Sequence, residues 1–157
     1  MESLNSYLGM ADNDLAYAQA GLSLGETLGN YNGLASVCAQ ACEKYLKAVL
    51  ELCFAENQEL VSLLHSHNLR SIYNVIITKY ELQISSKDCK WVGDFYFDAR
   101  YPGDNFILVN REDAIECLRI TELLKQDAHK IIEVERARRS VVQEQLKELR
   151  AFKEDEI

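Results

Sequence analysis

The chain has 157 residues, with 17 Lys and Arg against 25 Asp and Glu and a formal net charge of −8. A hydrophobic fraction of 48% supports one core of ordinary size and excludes a globally disordered chain. Seven glycines and one proline are too few for the turns of an all-β fold, and the acidic balance excludes a broad basic nucleic-acid surface.

No apolar run reaches the roughly 20 residues that a membrane-spanning helix needs. Met1 to Met10 lacks the basic-then-apolar order of a secretory leader. The five cysteines, Cys38, Cys42, Cys53, Cys89 and Cys117, are odd in number and do not read as a disulfide framework. They suit reduced thiols in a cytoplasm. The chain carries no phosphate-loop, Cys-x-x-Cys or His-Glu-x-x-His motif.

Apolar spacing predicts five helices. The first runs from about Leu4 to Leu24, with Asp14 inside its apolar stripe and Gly25 and Gly29 interrupting the pattern. The second, about Asn30 to Glu56, is the clearest. Glu43, Lys47, Gln40, Glu51 and Lys44 fall in a sector about 100° wide, and apolar residues fill the opposite half of the wheel. A loop through Leu63, Leu64, His65 and Ser66 leads to a third helix that Asn68 can cap. A fourth, about Ser86 to Ala99, carries Trp91, Phe95, Tyr96 and Phe97, and Pro102 stops it. The fifth starts at Asn110, whose side chain is a good cap, with Glu112 and Asp113 at the positive helix end. Beyond Ile132 the composition changes to a charged stretch with a thin apolar seam, Val141, Val142, Leu146 and Leu149. This predicts an exposed helix or one that packs on a partner.

Four stretches then line up in order: Ala11 to Ala18 (ADNDLAYA), Ala39 to Ala48 (AQACEKYLKA), His67-Asn68-Leu69, and Ala99-Arg100-Tyr101-Pro102. Their succession resembles the HEPN domain, a family named for nucleotide binding in higher eukaryotes and prokaryotes. The resemblance implies an all-α antiparallel bundle of about five helices with two long core helices. It divides the chain into a HEPN-like domain over residues 1–132 and a charged helical extension over 133–157. It also implies frequent homodimers.

The family splits by function. Many members are metal-independent ribonucleases with Arg, four to six residues, then His; others are nucleotide-associated or partner-binding modules beside a minimal nucleotidyltransferase. Here the nearest Arg before His129 is Arg119, ten residues earlier, which on a helix is about 15 Å away and roughly 80° around the axis. Neither His65 nor His67 follows any Arg. The resemblance therefore points to a non-catalytic module without metal or cofactor, binding a nucleotide, RNA or a nucleotidyltransferase. The candidate cleft is Asp14, Glu43, Lys44, Lys47, His67, Arg100 and Tyr101. The alternative is a diverged, toxin-like HEPN ribonuclease with a site assembled at a dimer interface, using His129 or His67 with Arg119 or Arg100.

Each candidate also has a structural reading. Asp14 can form an ion pair within the bundle. Glu43, Lys44 and Lys47 can be a solvated face. Arg100 can pair with Glu43 or Asp14, with Tyr101 in the core. His67 can cap a helix or bond a carbonyl. Cys38 and Cys42, one turn apart, can serve as small core residues. Trp91, Phe95 and Phe97 can stack nucleobases, or form core or a dimer contact.

Overall fold

A computed structural model describes residues 1–155 of the chain. Among them are five α-helices, α1 (Tyr7–Leu28), α2 (Asn32–Cys53), α3 (Leu69–Ile76), α4 (Ser86–Asp98) and α5 (Arg111–Asp155). A 3-10 helix, Gln58–His65, lies between α2 and α3 where the sequence predicts a loop. The described residues form no strand, and no helix is long and apolar enough to cross a membrane.

The helix ends follow their capping residues. The Ser6 hydroxyl accepts from Gly9 N–H and starts α1. Asn68 accepts from Ser71 N–H at α3. Ser85 and Asp88 form a reciprocal capping box on α4. The Asn110 side chain accepts from Asp113 N–H at 2.8 Å and starts α5. Gly29 ends α1 with φ of 74°, a left-handed conformation that favours glycine.

α1 does not stop at Gly25, as its sequence pattern suggests. It continues through Gly25 because that position makes room for a neighbour. A Cβ there would sit 2.2 Å from the Tyr31 ring. Tyr31 packs into that gap, and the three residues Gly29–Tyr31 fold α2 back along α1.

α2 is the centre of the bundle. It contacts α1, α3, α4 and α5. Small residues line its face toward α1 and α5: Ala35, Cys38, Ala39 and Cys42 are essentially inaccessible, as are Ala11 and Ala18 on α1. Short side chains let the three backbones approach closely. Larger groups fill the ends, Tyr45, Leu46 and Val49 with Ile72 and Ile76 at one end, and Leu15, Leu34 and Phe95 with Val109 at the other.

α5 runs unbroken past Ile132, its last buried aliphatic residue. Glu135 is buried next, bonded by Arg138 and Arg139. The Arg138 hydrogen bond, with help from Arg139 and against the effect of burial, holds its carboxyl down to about 2. Arg139 also donates to the Leu52 carbonyl at the negative end of α2, where a cation is favoured. From residue 140 onward every described residue is exposed.

The Gly25 gap sets the first prediction. Gly25→Ala should lower stability in urea denaturation by about 1–3 kcal/mol, because the overpacking cost exceeds the helix-propensity gain. Gly33→Ala, with open space around its Cβ, should be neutral or stabilising by up to about 1 kcal/mol. An unchanged midpoint for Gly25→Ala contradicts the packing account.

Candidate functional site

The polar residues of α2 form a belt around its middle, and the neighbours bring a partner to each. The predicted charged sector is not a solvated face at Glu43 and Lys47. Lys47 is only 4% exposed and Glu43 8%, because α3 and α4 pack over that side of α2. Lys47 Nζ donates to Glu43 Oε1 at 2.8 Å. The second partner of Glu43 is His67 Nδ1, 3.1 Å from Oε2. His67 therefore neither caps α3 nor meets a carbonyl. It joins the start of α3 to α2 through a buried carboxylate.

On the α1 side, Lys44 donates to Asp14, the structural ion pair the sequence allows. One residue on, the Tyr45 hydroxyl donates to Asp12 Oδ1 at 2.6 Å. Burial first, then the Asp12 carboxylate, push that hydroxyl far above its usual range, so it stays a neutral donor. Asp12 also meets His129 Nε2 of α5 at 2.8 Å, with Lys125 Nζ at 3.9 Å. The described residues contain no buried side-chain nitrogen or oxygen without a partner.

The remaining predicted residues lie at the end of α4. Arg100 pairs with neither Glu43 nor Asp14, since Lys47, His67 and Lys44 already occupy those carboxylates. Its guanidinium instead stands 5.3 Å from the Tyr96 ring centre and 5.6 Å from that of Tyr101. Tyr101 is not core but 55% exposed. It stacks on Phe97, and Tyr96 stacks on His67 with ring centres 5.4 Å apart. A continuous series thus runs from Lys47 through Glu43, His67 and Tyr96 to Arg100 and Tyr101. The Asp14–Lys44 pair stands apart from it, on the α1 side of α2.

Asn32 ties the loop after α4 to α2. Asn32, at the start of α2, donates from Nδ2 to the carbonyls of Ala99 and Ile107 and accepts from Val109 N–H at 2.9 Å. These bonds hold the chain on both sides of Arg100 and Tyr101.

Beside the aromatic series is an open cleft of about 430 Å³ between α3 and α4. His67, Asn68, Arg70, Lys90, Asp94 and Phe97 are among its walls. Arg70 donates to the Ser86 hydroxyl, and Lys90 pairs with Asp94. Both cations are exposed and free to turn toward an anion. Sequence reasoning missed Arg70, Lys90 and Tyr96, as well as Asp12. Arg70 stands three residues from His67, and Asp12 lies in the first of the four recognised stretches.

The family model of the HEPN domain matches residues 4–133. The chain belongs to the HEPN domain family. This is a family of nucleotide-binding or RNase-like modules, and HEPN domains often dimerise. No match is found among curated proteins or among solved structures.

In this HEPN domain the four stretches of resemblance meet on α2. The first supplies Asp12 and Asp14, the second the belt itself, the third His67, and the fourth the Ala99 carbonyl that accepts from Asn32. Arg119, the nearest Arg before His129, bonds Glu116, while His129 bonds Asp12. Trp91 and Phe95 pack edge to face at 4.9 Å, with Phe95 in the core, and Phe97 lies on the surface. The Cys38 and Cys42 thiols are buried, and burial pushes Cys38 up to about 12 and Cys42 higher still. Both are neutral, unreactive core groups.

The belt predicts a specific cost. Glu43→Ala leaves the Lys47 charge buried without its carboxylate and should destabilise the domain by about 3–5 kcal/mol in urea denaturation. Replacing both, Glu43→Leu with Lys47→Met, should recover most of that loss. A single substitution costing under about 1 kcal/mol shows that the pair is hydrated after all.

Proposed function

We propose that this HEPN domain is a non-catalytic module that binds a nucleotide at the α3–α4 face. One observation carries the reading. Arg100 lies against two tyrosine rings beside an open cleft that exposes two further cations. A base can stack on an exposed ring while its phosphate meets Arg70 or Lys90. The acidic remainder of the domain favours such a focused contact over a long nucleic-acid track. The candidate cleft of Glu43, Lys47, His67, Arg100 and Tyr101 enters the proposal with a division of labour. Arg100 and Tyr101 touch ligand, and Glu43 and Lys47 hold His67 in place. Asp14 and Lys44 enter it as bracing for α1 against α2. A minimal nucleotidyltransferase and a second copy are the protein partners this reading includes, in a cytoplasmic setting that suits five free cysteines.

Calorimetric titration with ATP, a nucleoside monophosphate and a short single-stranded RNA tests it. One of the three should bind below millimolar concentration. Arg100→Ala and Tyr101→Ala should each weaken that binding about tenfold, the scale of one lost base–aromatic or cation contact. Binding unaffected by both substitutions, or no binding by any of the three, contradicts the proposal.

A second reading, a diverged HEPN ribonuclease with a site completed across a dimer, is favoured by the His129–Asp12 contact. A carboxylate that orients an imidazole is the arrangement a general base needs. It predicts RNA cleavage that His129→Ala abolishes. An inactive wild-type protein, or cleavage that survives His129→Ala, removes this reading.

A further inference from the structure

The end of α5 presents an apolar face with no partner in the chain. Val141, Val142, Leu146, Leu149 and Phe152 are between 41% and 64% exposed. They project from one side of a helix that no other element covers beyond Arg139. The family match ends at residue 133, so this face lies outside it.

The face has a heptad order. Val142 and Leu149 occupy a positions, and Gln145 and Phe152 occupy d positions. The two flanks of this seam differ in charge. Glu144, Glu148 and Asp155 lie along one side, and Arg150 and Lys153 along the other. The direction of pairing follows from these flanks. Two such helices laid side by side in the same direction bring the acidic flank of each against the basic flank of the other. Laid in opposite directions, they bring acid against acid and base against base. In the parallel register Glu148, at g, faces Lys153 of the second copy, at e. The preceding g and e positions are Val141 and Leu146, which extend the apolar contact. Gln145 meets Gln145 in this register, and the two amides can hydrogen-bond to each other.

We infer that residues 140–155 pair in parallel with the same segment of a second copy of the chain. A helix with near-balanced charge on two opposite flanks is complementary to itself, and it lacks the excess of cations that an anionic membrane surface requires. The pairing gives an isologous contact with its two-fold axis along α5. It does not depend on the nucleotide reading.

Two measurements on the full chain test this. First, Gln145→Cys should give a disulfide-linked dimer under glutathione disulfide, and Ser140→Cys, on the outer side of the helix, should not. The wild-type chain, with four of its five cysteines buried, is the control. Second, E148K should weaken dimerisation in sedimentation equilibrium about tenfold, and E148K/K153E should restore it. All these substitutions are at exposed positions, and circular dichroism should show unchanged helix content. A monomeric chain, equal cross-linking at positions 140 and 145, or an E148K variant that associates like wild type overturns the inference.

Discussion

Lys47 and Glu43 sit in the middle of the most enclosed helix of the bundle, and their charges are almost sealed from water. A buried ion pair adds little stability of its own, because desolvation cancels most of the attraction. Losing either partner, however, is costly. The segments that enclose the pair are therefore tied to its geometry. His67 must reach Glu43, so the chain entering α3 is drawn onto α2. Tyr96 stacks on His67, so α4 follows. Arg100 then lies over Tyr96, and the end of α4 is set by a contact that began inside α2.

The same stretch of α2 faces a second cluster on its other side. Lys44 and Tyr45 hold Asp14 and Asp12, and Asp12 holds His129. The two clusters differ in what they leave accessible. Around Asp12 every group has a partner, and Tyr45 and Asp14 are largely enclosed. Around His67 the inner groups are paired, but the outer ones, Arg100, Tyr101 and Phe97, present faces to solvent beside a cleft with two exposed cations. A bundle held by the first cluster and offering a ligand the second is consistent with a binding module. Arg119 and His129 have separate partners, Glu116 and Asp12.

Much of the fold was legible in the sequence because helical period and capping residues are local signals. Asn68 and Asn110 cap the helices their positions indicate, and the apolar half of α2 is buried as its wheel requires. Gly25 is ambiguous in sequence because the same residue that weakens a helix also makes room for a neighbouring ring, and only the packing of Tyr31 distinguishes the two. The wheel also placed Glu43 and Lys47 in a polar sector without showing that α3 and α4 cover it. Resemblance gathered the candidate residues, but it could not assign partners across helices. Arg100 was matched to carboxylates that Lys44, Lys47 and His67 already hold. Asp12 stands in the recognised stretch, but its role depends on His129, 117 residues away.

Under the proposed function, ligand binds on the α3–α4 side of α2 and His129 belongs to the framework. The most direct measurement follows the imidazole resonances of His65, His67 and His129 by NMR while nucleotide is added. His67, stacked on the Tyr96 ring that Arg100 also contacts, should move with ligand, and His129 should stay within its unliganded position. A His129 resonance that moves while His67 does not would contradict the account and place the site on the α1–α5 side of the bundle.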